Sequence, residues 1–311
     1  MNAITARGLR RSYGDHEVLK GVDLDVRRGT VFSLLGANGA GKTTMVKILS
    51  TLIGADGGSA SVAGHDVAND PDGVRGAIGV TGQFSAVDNL MTGRENLKLM
   101  ADLHHLGREQ GRRRADELLA QFDLVDAADK PASAYSGGMR RRLDLAMTLV
   151  GSPEVIFLDE PTTGLDPRSR RAMWQIVREL VASGVTIFLT TQYLEEADEL
   201  ADRIAVLDHG RIVAEGTADE LKRRIPGGHV LLQFADLRDL EAAAGVVRDA
   251  SRDGDALALR VPNDGSVSSL KALLDRLDEF AVPVESISTH TPDLDDVFLA
   301  LTGGRQKVEQ P

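Results

Sequence analysis

Eight consecutive residues, Gly36-Ala37-Asn38-Gly39-Ala40-Gly41-Lys42-Thr43, form the stretch of the chain most specific for chemistry. Glycines at these positions let successive backbone N–H groups turn toward one point. A helix opening directly behind them adds roughly half a positive charge there. The lysine supplies a point charge for β- and γ-phosphates, and the threonine hydroxyl suits Mg²⁺. The flanks agree with this chemistry. Val31-Phe32-Ser33-Leu34-Leu35 is an apolar run of strand length, and Thr44-Met45-Val46-Lys47-Ile48-Leu49 reads as a helix. Strand, glycine loop and helix are the context a phosphate-binding loop requires, so the spacing predicts a nucleoside triphosphate ligand.

A second group of residues could act on such a ligand. Val155-Ile156-Phe157-Leu158 runs without alternation into Asp159 and Glu160, as a strand buried on both faces and ending in two carboxylates. Asp159 is read as holding Mg²⁺ through its water shell, and Glu160 as polarising an attacking water. Upstream, Ser136-Gly137-Gly138 opens a helix and offers a second anion-binding N-terminus. Downstream lies Pro161-Thr162-Thr163-Gly164-Leu165-Asp166.

Other chemistry-bearing residues have ordinary readings. His104 and His105 are adjacent, point to different sides of a helix and make a poor metal pair. Arg112-Arg113-Arg114 reads as a solvated face. Arg140-Arg141-Arg142 sits in the first turn of the helix behind Gly138, where the dipole disfavours cations. Those three arginines are read either as solvated or as meeting phosphates or acidic groups.

The elements that must position these residues alternate between strand and helix. Val18, Val22, Leu24 and Val26 mark a half-buried strand ending at Gly29, preceded by a polar turn over Arg10–Gly14. Short strands over 59–63 and 77–81 follow the loop helix, and the second leads to Gln83. From Thr92 the period becomes helical: Thr92-Gly93-Arg94-Glu95 is a capping box, and apolar positions recur to Phe122. A helix over 140–149 follows, then the strand 155–160. Helix 168–183, strand 185–190, helix 194–201 and strand 203–208 continue the alternation, and His209-Gly210 turns into a final strand. Pro226-Gly227-Gly228 is a linker candidate. Beyond it, strands near 230–234, 256–261 and 284–288 alternate with helices 237–248 and 266–279. An amphipathic helix over 294–301 stops at Gly303-Gly304 and reads as packed, since it has no basic polar face.

At 311 residues the chain accommodates one large domain and a small one, and 42% apolar residues suffice for both cores. The expected division is 1–225, with a helical subdomain inserted at about 84–150, and 229–311 as a small α+β domain. A net charge of −11 argues against a nucleic-acid surface, which needs a basic stripe to displace counterions. With no cysteine there is no disulfide, thiolate metal site or cysteine nucleophile. No run of 18 apolar residues offers a membrane span, and residues 1–7 lack the apolar core of a signal peptide. The expectation is a protein of the cytosol.

The order of phosphate loop, Gln83, Ser136-Gly137-Gly138, Asp159-Glu160 and Gly164-Leu165-Asp166 resembles the ATP-binding cassette (ABC) ATPases over roughly residues 1–225. The resemblance implies an α/β P-loop NTPase core with an inserted helical subdomain, ATP and Mg²⁺ as ligands, and hydrolysis. It implies nucleotide contacts from Tyr13 on adenine, from Gly36 to Thr43 and Thr44 on the phosphates, and from Gln83, Ser136, Gly137, Gly138 and Asp166. Thr43, Gln83 and Asp159 would serve Mg²⁺, and Glu160 and Gln192 the attacking water. In the family's arrangement two subunits pack head to tail, so Ser136 and Gly138 of one cap the γ-phosphate held by the other. Asp166 then crosses that interface.

The chain departs from the family pattern in two places. Tyr135 and Met139 stand where Leu and Gln are usual, and Gln192 stands where most members place a histidine. A glutamine amide donates and accepts but cannot become cationic, so hydrolysis is expected to run through Glu160 with little titration near neutral pH.

Three stretches narrow the resemblance: Tyr135-Ser136-Gly137-Gly138-Met139-Arg140-Arg141-Arg142-Leu143, Gln192-Tyr193-Leu194-Glu195-Glu196-Ala197-Asp198, and the segment from Leu294 to Gly303. Together they are similar to the daunorubicin-resistance-type drug-export ATPases. That likeness implies a homodimer joined through the nucleotides. It also implies a separate ABC-2-type membrane permease, attachment to the cytoplasmic face of the membrane, and a C-terminal domain serving assembly and regulation. An exporter of lipid or polysaccharide would share the same nucleotide residues. A soluble ABC protein acting on ribosomes or DNA fits less well with one cassette and this charge.

Overall fold

The computed structural model describes residues 1–311 apart from 83–85, 225–227, 248, 255, 264–265, 291 and 302–311. Gln83, Pro226, Gly227, Gly303 and Gly304, singled out above, lie outside the described residues. The chain divides into two compact units, Met1–Ala218 and Asp219–Pro311.

The first unit opens with a long antiparallel pair, β1 (Asn2–Tyr13) and β2 (His16–Arg27). The polar turn expected over Arg10–Gly14 is therefore strand almost to its end. A register shift between Ala6 and Leu9 breaks the alternation of β1, which hides it from a period-two reading. β3 (Val31–Leu35) leads through the glycine loop into α1 (Lys42–Leu49). β4 (Gly57–Val62) and the short β5 (His65–Asp66) complete a sheet of order β2-β1-β4-β5. An unexpected helix, α2 (Pro71–Ala77), is capped by the Asp70 carboxylate and runs into β6 (Ile78–Thr81).

The helical block comprises α3 (Gly93–Leu103), α4 (Arg108–Gln121) and α5 (Gly137–Thr148). The capping box at α3 is formed as its sequence requires: Glu95 N–H donates to Thr92 Oγ1, and Thr92 N–H donates to the Glu95 carboxylate. α5 starts three residues earlier than the apolar pattern suggests, because the Ser136 hydroxyl accepts from Met139 N–H and caps it.

β7 (Val155–Asp159), α6 (Pro167–Ala182), β8 (Thr186–Thr191), α7 (Leu194–Leu200), β9 (Arg203–Asp208) and β10 (Arg211–Gly216) complete the central sheet. Its order is β10-β9-β3-β8-β7-β6, parallel except for the edge strand β10. Successive residues of the buried strands serve two different cores. Phe32, Phe157 and Phe188 face the antiparallel sheet and α1, with the Phe188 ring stacked 5.7 Å from Phe32 and tilted against Phe157 at 5.5 Å. Ile156, Leu158, Ile187 and Leu189 face the helical block. Both faces being apolar, the alternation exists in space and not in residue type.

α8 (Ala218–Lys222) lies at the division between the units. In the second unit β11 (His229–Gln233), α9 (Leu237–Val246), β12 (Ser251–Asp253), β13 (Ala258–Pro262), α10 (Val267–Glu279) and β14 (Ser286–His290) follow in order. α11 (Leu294–Leu301) comes last. The antiparallel order β12-β13-β11-β14 is the split βαββαβ arrangement. Val230, Leu232, Leu259, Leu240 and Leu277 form its core.

One contact ties the helical block to the start of α5. The buried Tyr135 hydroxyl donates to Ala127 O at 2.8 Å, and a Cβ on Gly93 would lie 2.2 Å from that hydroxyl oxygen. Gly93→Ala should destabilise the unit by about 1–3 kcal/mol through overpacking. Adding Tyr135→Phe, which removes the clashing atom, should recover part of that loss. Urea midpoints of the single and double variants measure the coupling, and simple additivity would contradict the contact.

Candidate nucleotide site

The parallel ladders bring three strand ends level. Leu35 of β3 pairs with Thr191 of β8, and Asp159 of β7 pairs with Thr190. The glycine loop, the Asp159–Glu160 pair and Gln192 therefore emerge side by side at the carboxyl edge of the sheet, where open α/β sheets bind ligands.

The loop is held by its backbone. Gly36 N–H donates to Thr191 O at 3.3 Å, and Gly210 N–H donates to Ala40 O at 3.2 Å. Gly41 has φ of 114°, and a Cβ there would lie 2.8 Å from Leu19 Cδ2, so this position needs glycine on both counts. α1 begins with no side-chain cap and no acid in its first turn, the arrangement that leaves leading N–H groups to an anion. Thr43 and Thr44 are half-buried in that first turn.

Lys42 is buried, and its Nζ donates to Gly36 O at 2.8 Å and Ala37 O at 3.1 Å. The same Nζ lies 3.5 Å from Glu160 Oε1. Burial pulls its pKa below the ordinary lysine value, while the Glu160 and Asp159 carboxylates act in the opposite direction. Asp159 is buried at the tip of β7 and accepts from the Thr190 hydroxyl. Glu160 turns off the strand with φ of 50°, a left-handed conformation costing a non-glycine residue about 1–3 kcal/mol. Its N–H donates to Thr190 O at 3.0 Å, and its carboxylate accepts from Thr163 Oγ1 at 3.4 Å.

These residues suit a magnesium nucleotide. Among the described residues no group of three or more His, Cys, Asp or Glu side chains is placed to hold a metal. One buried carboxylate, Asp159, and one hydroxyl, Thr43, are instead the hard oxygen donors that Mg²⁺ takes when phosphates and water complete its shell.

A second part of the predicted site lies elsewhere on the same unit. Ser136, Gly138, Met139, Arg142, Arg168 and Ser169 line one cleft, whose walls include no residue of 36–44. Gly138 faces Ser169 closely: a Cβ there would lie 2.7 Å from Ser169 Oγ. Asp166 caps α6, accepting from the N–H groups of Arg168 and Ser169 at 3.0 Å and from the Ser169 hydroxyl at 2.6 Å. The Ser169 hydroxyl, above all, holds the Asp166 carboxyl below the usual range. Tyr13 stands at the tip of the β1–β2 hairpin, about half exposed, with the Arg11 guanidinium 5.2 Å from its ring. Thus one chain gathers residues 36–44, 159, 160 and 192, and separately gathers 136–138 with 166.

Three residues behind the site have no individual role in the sequence reading. Thr190 bonds Asp159. Glu196, fully buried on α7, accepts from Thr162 Oγ1 at 2.8 Å and from Trp174 Nε1 at 3.3 Å. Arg141, from the triplet read as solvated or as meeting phosphates or acidic groups, is nearly buried and bonds protein carbonyls beside Glu160. No local pattern marks these roles, because the bonds of Arg141 to Asp159 O, of Glu196 to Thr162 and Trp174, and of Thr190 to Asp159 span at least 18 residues of chain.

Comparison with known proteins agrees with this geometry. The family model for ABC transporters matches residues 19–163, and one described as "ATP-binding protein DrrA1-3-like, C-terminal domain" matches 216–302. A solved structure described as the ATP-binding subunit of an ABC transporter superposes with a TM-score of 0.64 at 29% identity, covering 71% of this chain and 92% of that one. Daunorubicin resistance ATP-binding protein DrrA3 of Streptomyces coeruleorubidus is 49% identical over 99% of this chain and 98% of its own length. Doxorubicin resistance ATP-binding protein DrrA of Mycobacterium tuberculosis is 47% identical, covering 96% and 93%. The fold is that of an ABC ATPase. Within that class, this chain belongs to the daunorubicin/doxorubicin-resistance-type ATP-binding proteins.

Burial raises the Glu196 pKa above the ordinary glutamate value, more than its hydrogen bonds lower it. The native chain therefore holds that proton more tightly than the unfolded chain. Its contribution to stability is complete below the unfolded pKa and is lost as pH rises through the folded one. Glu196→Gln should flatten the decline in stability as pH rises above the ordinary glutamate range, read from urea midpoints at a series of pH values. A variant profile parallel to the parent's would contradict the assignment.

Proposed function

We propose that this chain is the ATP-hydrolysing motor of a drug exporter, working as a homodimer on a separate ABC-2-type permease at the cytoplasmic face of the membrane. The observation that carries this reading is the 49% identity to a daunorubicin resistance ATP-binding protein over nearly the whole length, C-terminal unit included. No helix among the described residues is long and apolar enough to cross a membrane, and a separate permease carrying the cargo fits that observation.

In this reading the N–H groups of loop 36–43 and Lys42 hold the phosphates, with Thr44 beside them and Tyr13 stacked on adenine. Thr43 and Asp159 hold Mg²⁺, with Gln83 added by family resemblance; the cation screens charge on the phosphates when bound. Glu160 polarises the water, and Gln192 orients it by donating and accepting at once. The cleft that holds Ser136 and Gly138 contains no residue of 36–44. This supports a reading in which the nucleotide joins two copies of the chain, with Ser136, Gly137 and Gly138 of one completing the site of the other and Asp166 beside the seam. Each ATP joins the copies, and its hydrolysis releases them.

The reading is tested by expressing the chain with its neighbouring permease in membranes and following ATP hydrolysis and transport of an anthracycline. Drug and permease together should raise turnover and move drug. Robust turnover indifferent to drug would replace the cargo with lipid or polysaccharide. Glu160→Gln should lower turnover by about 10²–10⁴-fold while retaining ATP, and unchanged turnover would remove Glu160 from its role. With Gln192 the rate should be nearly flat between about pH 6 and 8, whereas Gln192→His should introduce a titration near about 6.5.

A further inference from the structure

Arg141 makes four hydrogen bonds from one nearly buried guanidinium. Nε donates to Pro161 O at 2.9 Å, and Nη1 donates to Gly82 O and to Asp144 Oδ2, both at 3.1 Å. Nη2 donates to Asp159 O at 3.4 Å. The two flanking carbonyls, Asp159 and Pro161, bracket Glu160 in the chain. Asp144, one helical turn on, is 2% exposed, and its other carboxylate oxygen accepts from Ala86 N–H at 2.9 Å.

We infer that Arg141, fixed by Asp144, is a positioning residue for hydrolysis. It holds the strained Glu160 turn to the helix that begins at Gly137, and it holds Gly82, at the end of β6, to the same helix. The inference deepens the ATPase reading and rests on it.

The physical argument has three parts. Glu160 occupies a left-handed backbone conformation that nothing in its own residue type favours, so its surroundings must impose it. Four bonds act on the backbone there: Glu160 N–H to Thr190 O, Thr163 N–H to Glu160 O at 3.3 Å, and Arg141 to the carbonyls before and after Glu160. A planar guanidinium can address four acceptors in fixed directions, whereas an ammonium of the same charge donates from a single nitrogen and cannot span them. Asp144 neutralises the arginine where burial would otherwise oppose the charge, and so makes the strut tolerable in the interior. The same helix carries Ser136, Gly137 and Gly138 at its start. Rigid displacement of that helix therefore reaches Glu160 through one side chain, without passing through the nucleotide.

The test uses the purified full chain and three variants: Arg141→Lys, Asp144→Asn and, as a control on an exposed ion pair, Arg75→Gln. Arg141→Lys should lower kcat about 10–100-fold, with ATP affinity, read by binding rather than turnover, within about twofold of the parent. Without any nucleotide, hydrogen exchange in the peptide spanning 158–163 should accelerate at least about tenfold. Exchange over β9 (203–208) should stay unchanged. Asp144→Asn should show the same pattern more weakly, and Arg75→Gln none of it. Equal acceleration in 158–163 and 203–208 would make Arg141 a general support of the fold and overturn the inference. So would local acceleration with kcat unchanged. A parent chain that neither binds nor hydrolyses ATP would instead overturn the ATPase reading, while the exchange pattern still judges the strut. If Arg141→Lys does not fold, the isosteric Asp144→Asn decides by the same readouts.

Discussion

The site depends on the parallel register of β3, β8 and β7. Leu35 opposite Thr191 and Thr190 opposite Asp159 bring the phosphate loop, the carboxylate pair and Gln192 to one edge. A one-residue slip in either ladder would separate them and also exchange the two apolar faces of the strand. The register is protected by what each face buries. Phe32, Phe157 and Phe188 interlock on one side, and Ile156, Leu158, Ile187 and Leu189 meet the helices on the other. Dense packing on both faces converts sequence spacing into fixed distances at the strand ends.

Behind that edge lies an unusual concentration of buried polar groups: Lys42, Thr190, Asp159, Thr162, Glu196 and Asp144. Each costs free energy to bury, and each has hydrogen-bond partners within the unit. The partners are backbone groups of the glycine loop and of Ala86, and side chains of β8, α5, α6 and the turn after β7. Such a network spends stability to fix a strained turn. Glu160 is the residue so held: its left-handed φ persists because Thr190 O and the Arg141 bonds restrain the backbone around it.

The molecule carries two helix starts suited to anions, α1 behind the glycine loop and α5 behind Ser136. They differ in how their N–H groups are used. The α5 start is capped internally by Ser136, while α1 has no side-chain cap. Ser169 adjoins both Gly138 and Asp166, so the second region is a small unit in its own right. An assembly in which one copy supplies the first region and another the second makes nucleotide the cement between them. The C-terminal unit is a βαββαβ sheet with its own core.

Much of this was legible in the chain alone, for a local reason. Gly36 to Thr43, Ser136 to Gly138 and Asp159-Glu160 act through backbone turns and helix starts specified within a few residues, as does the Thr92–Glu95 capping box. The α/β alternation was legible because strand and helix periods are local too. Tertiary structure alone decided what depended on distant partners. β1 was obscured by its register shift, and α2 was too short and glycine-rich to announce itself. Arg141 looked like one of three charges in a row until Pro161, Gly82 and Asp159 supplied carbonyls around it. Glu196 was one residue within the stretch Gln192 to Asp198 until Thr162 and Trp174 enclosed it. Periodicity reports which side a residue takes on its own element; only packing between elements determines what waits on that side.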